Sequence, residues 1–411
     1  MDDPLRLVGQ LFPAPCHDYL YLVGGSVRDR LLGRPGRDLD LVTTLDPSVL
    51  QRLGFRPVQG RTTSLIWFLA LPGEGTVEVT LLPEGSSLAD DLRRRDFTMN
   101  ALALTPNGRL LDPLNGRRDL EQRRVRSCSA SCFRDDPLRL FRALRFEAEG
   151  RRMTPETRAL AAQPEVLNGL DGMPVERFSR ELVKALAGAE PERFFSGMAA
   201  LGAGRHWLPE VFAMSAVPAG PPEYHPEGDL LTHSLQVLQR TAALTPDPLA
   251  RFCGFLHDLG KLQSDPTQYP RHHGHDEAGF EPARRLCRRL RLPTAWGRAL
   301  AWSCRLHTRM NRWPELRDAT RLKTARQADQ AGIAAILPLV SAADKAGSTV
   351  PPDWGLTLAT ARLNAAGLGV GEERLAALPP EQRETFLLQR RIERLRAAAG
   401  REENENENGV R

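Results

Sequence analysis

The chain has 411 residues, 41% of them hydrophobic and 26% charged, with a formal net charge of +5 at pH 7. This is the composition of an ordinary globular protein with room for two or three domains, and no apolar run approaches the roughly 18 residues that a membrane span needs. The six cysteines form no CxxC pair, which argues against a disulfide framework or a cysteine zinc site. We therefore expect a cytoplasmic protein without a signal peptide. Its mild, arginine-driven basicity suits a polyanionic partner or simply a solvated surface.

Strand-like alternation is concentrated in the first 125 positions. The candidate strands lie at residues 19–23, 39–43, 64–69, 76–82, 101–104 and 110–111. After about residue 130 the apolar spacing becomes helical, first in FRDDPLRLFRALRFEAE (133–149) and then in VERFSRELVKALAG (175–188). The Pro/Gly-rich stretch 215–228 predicts a linker, and a second helical region follows it to about residue 350. The charged, low-complexity end at 401–411 predicts disorder.

Two aspartates, Asp38 and Asp40, alternate along one predicted strand, so their carboxylates point to the same face. Two like charges side by side are unfavourable unless a cation lies between them. Mg²⁺ suits such a site, since it usually binds through one or two carboxylates plus substrate phosphates. Glu78, on the neighbouring strand candidate, is either a third carboxylate ligand or a surface charge at the edge of the sheet.

A pair of glycines, Gly24 and Gly25, ends one strand just before a helix that Ser26 can cap. Glycines allow the backbone to approach a phosphate closely, and a helix N-terminus favours the anion. Arg28 or Arg37 can add positive charge at the same place. A phosphate cradle this close to a two-carboxylate metal site points to a nucleoside triphosphate and to metal-assisted phosphoryl transfer.

Four segments, in this order, resemble the class II tRNA nucleotidyltransferases, the CCA-adding enzymes and bacterial poly(A) polymerases of the polymerase-β superfamily. The segments are GGSVRDRLLGRPGRDLDLVT (24–43), RRRDFTMNALAL (93–104), LLDPLNGRRDLEQRRVR (110–126) and FRDDPLRLFRALRF (133–146). The resemblance implies an α+β fold, in which a small polymerase-β-like head with a mixed sheet precedes helical domains. It also implies catalysis by Asp38 and Asp40 with Mg²⁺, and tRNA with CTP or ATP as substrates.

The DDPLR segment contains a candidate template for the incoming base. Asp136 and Arg139 are three residues apart, so they can share a helix face. A carboxylate can accept from the amino group of cytosine or adenine while a guanidinium donates to the ring acceptors, and uracil and guanine leave the Asp unpaired. Asp135 stands where the family usually has Glu. The structural alternative is that Asp136 caps the helix ahead of Pro137 and pairs with Arg139.

The resemblance implies that residues of RRRDFTMN lie near the ribose and triphosphate. Asp96, with Arg95 or Asn100, can both accept from and donate to a 2′-hydroxyl, or Asp96 can simply cap a helix. The complete nucleotide-binding set that we expect is Gly24, Gly25, Ser26, Arg28, Arg95, Asp96, Asn100, Asp136, Arg139, Arg142 and Arg145.

The segment between Glu78 and these arginines is short. In full CCA-adding enzymes of the family, a basic, flexible loop at this place helps the site switch from CTP to ATP. Here only PEGSSLADDL (83–92) is present, with Leu81 and Leu82 where a basic residue is expected. By resemblance this predicts a CC-adding enzyme. Full CCA addition, with another segment acting in the switch, is the alternative, and an A-adding enzyme or poly(A) polymerase is a further one.

Histidines are concentrated in the second half of the chain. His233, the adjacent His257 and Asp258, and the later Asp344 fit the H…HD…D pattern of HD-domain phosphohydrolases. Imidazoles and carboxylates together bind a divalent metal such as Ni²⁺, Mn²⁺ or Mg²⁺ and activate water for attack on phosphorus. The alternative is a set of structural histidines with satisfied hydrogen bonds.

Three more histidines, His272, His273 and His275, follow in a Gly-containing loop, as outer-shell or phosphate-binding groups or as a solvated loop. The region resembles the HD extension of some CCA enzymes, which implies 2′,3′-cyclic phosphodiesterase, 2′-nucleotidase or phosphatase activity. The domains that we expect are a head (1–145), a helical neck that binds RNA (146–215), an HD domain (216–350) and a helical tail (351–400). From another functional class, the alternative is an HD hydrolase whose inactive head only binds RNA.

Overall fold

The structure is a computed structural model that describes residues 4–34, 36, 38–58, 66–71 and 75–408, with side chains described as far as residue 400. Its internal contacts divide the chain into two compact units, Met1–Met173 and Pro174–Arg411. The division falls inside the predicted neck, and the predicted domain limits stay predictions. Arg37 and the start of the predicted strand at 64–69 lie outside the described residues.

The first unit contains a mixed sheet with the strand order β3-β4-β5-β2-β1-β6-β7. Only β2 and β5 pair in parallel among the neighbours in this sheet. A separate parallel pair, β8 with β9, completes the strands described. The strands are β1 (Leu20–Val23), β2 (Leu39–Thr43), β3 (Arg56–Val58), β4 (Ile66–Leu71), β5 (Gly75–Leu81), β6 (Ala103–Leu104), β7 (Leu110–Leu111), β8 (Arg124–Val125) and β9 (Arg152–Met153).

Alternation along β2 and β5 determines which side chains leave the core. Leu39 and Leu41 are buried in one hydrophobic cluster with Val77 and Val79 of β5. The residue between each pair therefore points to the opposite face of the sheet. The parallel register pairs Asp40 directly with Glu78. Hydrophobic burial on one face thus presents carboxylates side by side on the other.

Helices flank this sheet and continue to the end of the first unit. They are α1 (Pro4–Leu11), α2 (Gly25–Leu31), α3 (Pro47–Arg52), α4 (Leu88–Arg93), α5 (Gly116–Glu121), α6 (Cys132–Asp135), α7 (Arg139–Ala148), α8 (Pro155–Ala161) and α9 (Pro164–Gly169). The predicted single helix at 133–149 is in fact two, α6 and α7. The reason is Pro137, because the residue before a proline avoids the helical region, and Asp136 is extended with φ −151° and ψ 97°.

Some strands differ from the prediction for a physical reason. The candidate at 101–104 is reduced to β6, since residues Thr98–Asn100 form a 3₁₀ turn. Strand β3 was not predicted, because its three residues are all exposed and show no alternation of polar and apolar side chains. The two-residue strands β8 and β9 are too short to carry a period.

The second unit is built of helices. They are α10 (Val175–Leu186), α11 (Glu192–Leu201), α12 (Pro209–Met214), α13 (Leu230–Leu244), α14 (Pro248–Leu256), α15 (His275–Ala278), α16 (Phe280–Arg289), α17 (Thr294–Asn311), α18 (Asp318–Ala331), α19 (Leu337–Asp344), α20 (Trp354–Arg362), α21 (Glu372–Ala376) and α22 (Pro380–Asn408). Helix α10 confirms the predicted helix at 175–188. Helix α22 extends into the segment predicted to be disordered, and residues 409–411 lie outside the described part of the chain.

The Pro/Gly-rich stretch 215–228 is not a linker between the two units. It is a loop within the second unit, closed by an isolated bridge between Pro218 and Asp229. The amide of Ala219 donates to the carbonyl of Gly228 at 2.8 Å, and the amide of Leu230 donates to that of Val217, also at 2.8 Å. Prolines and glycines suit tight turns as well as linkers, so composition alone could not separate the two.

All six cysteines are free, and no helix in the described residues is long and apolar enough to cross a membrane.

Gly116, the first residue of α5, supports the 3₁₀ turn that carries Asn100. A Cβ at this position would lie only 2.0 Å from the carbonyl oxygen of Thr98. We therefore expect Gly116→Ala to destabilise the first unit by about 1–3 kcal/mol or more. That corresponds to a fall of about 2–4 °C in melting temperature per kcal/mol, measurable by circular dichroism.

The matched control is Gly9→Ala in α1, where nothing lies within 4 Å of the added Cβ. Here the melting temperature should stay unchanged or rise slightly, since alanine favours a helix over glycine by about 0.5–1 kcal/mol. Equal melting temperatures for the two variants would contradict the close packing at Gly116.

Candidate active sites

The first candidate site is the carboxylate face of β2 and β5. Asp40 lies opposite Glu78, and the carboxylate of Asp38 accepts from the amide of Thr76 at 3.2 Å and from its hydroxyl at 2.8 Å. Burial raises the pKa of Asp40, Arg95 opposes this shift, and the charge of Asp38 adds to it. Burial and the charges of Asp40 and Asp38 likewise raise the pKa of Glu78. Burial and neighbouring negative charge that raise the pKa of both Asp40 and Glu78 describe a site that a divalent cation would stabilise.

The carboxylates of this face are farther apart than the ligands of a closed metal site. Among the described residues, sets of three or more donor atoms within 4.8 Å of one another occur only in the second unit. An open pair of carboxylates is what Mg²⁺ needs when substrate phosphates complete its coordination. Asp38, Asp40 and Glu78 therefore fit a Mg²⁺ ion that arrives with a nucleotide.

Gly24 and Ser26 bring the turn after β1 against the aspartates. Gly24 has φ +71°, and a Cβ there would lie 2.9 Å from Nη1 of Arg95 and 3.5 Å from Oδ2 of Asp40. The expected helix cap by Ser26 is wrong, since Ser26 lies inside α2, which begins at Gly25 with Gly24 as its N-cap. The Ser26 hydroxyl instead donates to the carbonyl of Asp38 at 3.0 Å and accepts from the amide of Asp40 at 3.2 Å. It thus ties the glycine turn to the aspartate strand.

A chain of hydrogen bonds links three of the four segments that carry the family resemblance. Arg28 donates from Nη1 to Oδ1 of Asn100 at 2.6 Å, and Nδ2 of Asn100 donates to Oδ1 of Asp96 at 3.0 Å. Nη2 of Arg142 lies 2.8 Å from Oδ2 of Asp96. Burial would raise the pKa of Asp96, but Arg142 and Asn100 outweigh it and hold that pKa below its ordinary value. Asp96 is therefore ionised and contacts both Asn100 and Arg142. The alternative, in which Asp96 only caps a helix, does not account for these contacts.

Two other predicted nucleotide-binding arginines have protein partners. Arg95 donates from Nε and Nη2 to Oδ2 of Asp91 at 3.1 and 3.0 Å. Arg145 is buried, pairs with Glu149, and lies over the ring of Phe146 with 3.8 Å between guanidinium carbon and ring centroid. A role of either side chain toward nucleotide stays a prediction.

Asp136 and Arg139 lie at the start of α7. Oδ1 of Asp136 accepts from the amide of Leu138 at 3.2 Å. Arg139 donates from Nη2 to the carbonyl of Arg94 at 2.9 Å and from Nη1 to that of Cys132 at 3.2 Å. These backbone bonds hold Arg139 next to the segment that carries Arg95, and a role of Asp136 and Arg139 toward the incoming base stays a prediction.

The connection from β5 to α4 is short and ordered. It comprises residues 82–87 and ends in a capping box, in which Ser87 accepts from the amide of Asp90 at 3.2 Å and Asp90 accepts from that of Ser87 at 3.1 Å. A connection of this length contains few residues that could form a lever.

The second candidate site is the cluster of His233, His257, Asp258 and Asp344, whose donor atoms all lie within 4.8 Å of one another. His233 comes from α13, the His-Asp pair follows α14, and Asp344 ends α19. Oδ1 of Asp344 lies 3.1 Å from Nε2 of His233 and 3.2 Å from Nε2 of His257. The sequence-predicted set therefore converges on one buried point.

Hydrogen bonds orient both imidazoles for a metal. Nδ1 of His257 lies 2.9 Å from the carbonyl of Gly254, and Nδ1 of His233 lies 2.6 Å from a carboxylate oxygen of Glu227. Both partners only accept, so each Nδ1 carries a hydrogen, and each Nε2 faces the carboxylates at the position where a bound metal would take the place of a proton. Both Nε2 atoms are buried without a hydrogen-bond partner. Two imidazoles and two carboxylates are a donor set that fits a divalent metal.

The charges of this cluster favour a cation strongly. Burial alone would lower the pKa of His257, but Asp258 and Asp344 outweigh it and raise that pKa to about 10. For Asp258, burial is outweighed by Lys261 and His257, which hold its pKa well below the ordinary value. For Asp344, burial is outweighed by His257 and His233, with the same result. The pocket thus stabilises negative carboxylates that a bound metal would neutralise.

Several residues that support the site were not predicted from the sequence. Glu227 accepts from both His225 and His233, and Asn311 donates to Asp344. Lys261 of the HDLGK segment lies 2.6 Å from Oδ2 of Asp258. In the sequence, Glu227 is only one acidic residue in the stretch 215–228, whose composition predicted a linker and gave no indication of a metal site.

The three loop histidines have three different environments. His272 is buried between the hydroxyl of Ser264 and the carbonyl of Pro218, so it is structural. His273 is exposed. His275 faces Asp258 together with His307, a residue that the sequence did not single out.

Comparison with known proteins shows to which family this chain belongs. The model of the poly(A) polymerase head domain matches residues 20–65 and 73–126, and that of the HD domain matches 230–345. A multifunctional CCA protein of Methylococcus capsulatus is 40% identical over 319 residues, which are 73% of this chain and 74% of that protein. One of Nitrosococcus oceani is 39% identical over 326 residues, 75% and 79% of the two chains. The chain belongs to the multifunctional CCA protein family.

Solved structures of CCA-adding enzymes share the fold. That of Bacillus stearothermophilus, in complex with CTP, has a TM-score of 0.60 and 24% identity, over 97% of this chain and 93% of that one. That of Thermotoga maritima, complexed with tRNA, has a TM-score of 0.61 and 21% identity, over 96% and 94%. The expected family, the α+β fold class and a nucleotidyltransferase with an HD domain are therefore confirmed.

The family models separate the two sites along the chain. The head match contains Asp38, Asp40 and Asp96, and the HD match contains all four residues of the buried cluster. Glu227 lies just before the HD match, so its contact with the cluster is known from the structure alone.

Glu227 gives a direct test of the HD site. We expect Glu227→Ala to weaken metal binding about 10- to 100-fold, because the partner that orients His233 is lost. Calorimetric titration of chelator-treated protein with Ni²⁺ measures this, since imidazoles bind Ni²⁺ well and the head offers only carboxylates.

The matched control is Glu223→Ala in the same loop, an exposed residue that should leave the affinity unchanged. Equal Ni²⁺ affinities of the two variants would show that Glu227 does not orient a metal ligand.

Proposed function

We propose that this chain adds cytidine and adenosine to tRNA 3′ ends, from CTP and ATP, and completes the CCA sequence. The observation that carries the proposal is the Asp40–Glu78 register, with Asp38 beside it and Gly24 and Arg95 against Asp40. The names of relatives at 40% and 39% identity support it. The six free cysteines suit a reducing compartment, so we place the activity in the cytoplasm.

Each part of the head has a defined task in this reaction. Asp38 and Asp40 would hold Mg²⁺, which when bound supplies the positive charge that phosphoryl transfer from a nucleoside triphosphate needs. Gly24 removes the side chain that would separate the backbone from the substrate. The ionised Asp96, fixed by Asn100 and Arg142, can accept from a ribose hydroxyl.

The specificity that we propose differs from the one predicted by loop length. The connection at 82–87 is short, as expected, but CC-specific addition is not confirmed, and the relatives favour the alternative of full CCA addition. Chemistry allows this alternative. Cytosine and adenine both present an amino donor beside a ring acceptor, so one pair such as Asp136 and Arg139 can serve CTP and ATP in turn.

For the second unit we propose metal-dependent hydrolysis of phosphate esters, such as a 2′,3′-cyclic phosphate at a damaged tRNA end. His233, His257, Asp258 and Asp344 would hold a divalent ion such as Ni²⁺, Mn²⁺ or Mg²⁺. The bare, buried Nε2 atoms support this proposal, because structural histidines with satisfied hydrogen bonds would not leave them unpartnered.

Specificity is tested with two tRNA transcripts, one lacking CCA and one ending in CC. Each is incubated with Mg²⁺ and CTP, ATP or both, and the products are sized at single-nucleotide resolution. We expect completion to CCA on the first transcript and addition of a single A on the second. Products that stop at CC would instead establish the CC-adding alternative, and addition of A alone would establish the A-adding one. No incorporation at all would favour a head that only binds RNA.

The assignment of the two sites is tested by a pair of variants. Asp40→Ala should reduce nucleotide addition at least about a thousandfold, since several kcal/mol of charge stabilisation are lost and each ~1.4 kcal/mol is tenfold in rate. Its hydrolysis of 2′,3′-cyclic AMP should persist. His257→Ala should show the reverse pattern, so each variant is the control for the other. Loss of both activities in both variants would refute the separation.

A further inference from the structure

A groove between helices α16 and α17 belongs to neither candidate site. Its volume is about 580 Å³, within the range of about 300–1,000 Å³ that ligand sites usually have. From α16 it is lined by Phe280, Arg284 and Arg288, and from α17 by Arg298 and Trp302. On each helix these residues are four apart, so they share one face. Both helices thus present arginines and an aromatic ring to the same space.

The two helices approach each other closely at the base of this groove. A Cβ at Gly297 would lie 3.3 Å from Cβ of Cys287 and 3.9 Å from Cα of Arg284. Gly297 and Cys287 are buried. Arg284, Arg288 and Arg298 are exposed. The small residues therefore form the floor of the groove, and the arginines form its walls.

Positive charge is concentrated around the groove. Residues 281–298 contain six arginines, no lysine and a single acidic residue, Glu281. Six arginines against one glutamate give a formal charge of +5, which equals the net charge of the whole chain. Arg284 pairs with Glu281 at 3.0 Å, whereas Arg288 and Arg298 form no ion pair within the described part of the chain. Charge of this density without neutralising partners favours a polyanion.

Aromatic rings distinguish this groove from a merely solvated arginine surface. Phe280 and Trp302 lie edge to face with 5.6 Å between ring centroids, and both are partly exposed. The guanidinium carbon of Arg305 lies 3.8 Å from the centroid of Phe280, and its Nε donates to Glu277 at 2.8 Å. These contacts fix the rings at one end of the arginine walls. Rings on which bases stack, next to arginines that contact phosphates, are typical of sites for single-stranded nucleic acid.

We propose that the groove between α16 and α17 binds a single-stranded segment of RNA, with a base against Trp302 and phosphates at Arg288 and Arg298. This surface lies outside residues 146–215, where the sequence predicted RNA binding. A single strand is favoured over a duplex, because stacking on a side chain requires an unpaired base. An acidic peptide would satisfy the arginines but has no base for the rings. RNA is chosen over DNA because the proposed function acts on RNA, and only in that choice does the inference rest on it.

Binding of a short, fluorescent oligoadenylate tests the proposal. Its anisotropy is recorded with the full-length protein at several salt concentrations, without nucleoside triphosphate or divalent metal. We expect Arg288→Ala combined with Arg298→Ala to weaken binding and to reduce the slope of log affinity against log salt. The reduction should be about 1.4, because each phosphate contact to a single strand contributes about 0.7.

The stacking contact is tested separately by Trp302→Leu. This variant should weaken binding about 5- to 150-fold, because one base loses its stacking partner, and it should leave the salt slope unchanged. An abasic oligonucleotide of the same length should bind the variant and the unaltered protein equally, since it has no base to stack.

The matched control removes two exposed arginines elsewhere in the second unit, Arg317→Ala combined with Arg394→Ala. It changes the net charge equally and should keep the salt slope, and melting temperatures report whether each variant is folded. If the groove pair and the control pair behave alike, the proposal is refuted, whether or not the protein adds nucleotides. If polyglutamate competes with the oligonucleotide and Trp302→Leu has no effect, the partner is an acidic protein and not RNA.

Two further outcomes separate this inference from the proposed function. Tighter binding of the DNA oligomer of the same sequence would refute the choice of RNA. If the unaltered protein adds no nucleotide while the groove variants still lose RNA binding as expected, the proposed function fails and the RNA site stands.

Discussion

In each unit of this protein, the fold holds negatively charged carboxylates close together. In the head, the parallel register places Asp40 beside Glu78, and the two leucines that flank Asp40 bury the other face of the strand. In the second unit, three helices deliver His233, Asp258 and Asp344 to a buried point. Hydrophobic burial provides the free energy that holds these charges close, and a cation is what makes the arrangement electrostatically favourable.

The outer contacts determine which atoms face that cation. Glu227 accepts from Nδ1 of His233, and the carbonyl of Gly254 accepts from Nδ1 of His257. The Nε2 atom of each ring is thereby directed toward the cluster as a possible metal ligand. Asp96 works in the same manner in the head, where Asn100 and Arg142 keep it ionised and fixed. In both units, side chains in the candidate sites are thus oriented by their hydrogen-bonded neighbours.

Much of the candidate sites could be predicted from the sequence, because their signals are local. Alternation placed Asp40 on a strand, with Asp38 one residue before that strand begins, and the spacing of His233, His257 and Asp258 fitted a known pattern. His307 could not be found in this way, since it lies on a helix face that reads as core and meets Asp258 only in three dimensions. The break of the helix at Pro137 could have been predicted, but the helical spacing of apolar residues on both sides favoured one continuous helix. Nucleotide specificity was the hardest feature to predict, since loop length is only an indirect measure of how a base is chosen.

Glycines define these sites as much as the ligands do. Gly24 leaves room for Arg95 and Asp40, and Gly260 leaves room for the backbone of His275. A side chain at Gly24 would occupy the space of charged groups, and one at Gly260 would occupy the space of a neighbouring backbone segment. A sequence shows such a glycine only as a small residue near a motif. Its role follows from the neighbour that an added Cβ would contact. That neighbour is Arg95 for Gly24 and the carbonyl of His275 for Gly260. The chemistry of both units therefore depends on backbone approach, which ligand motifs alone do not encode.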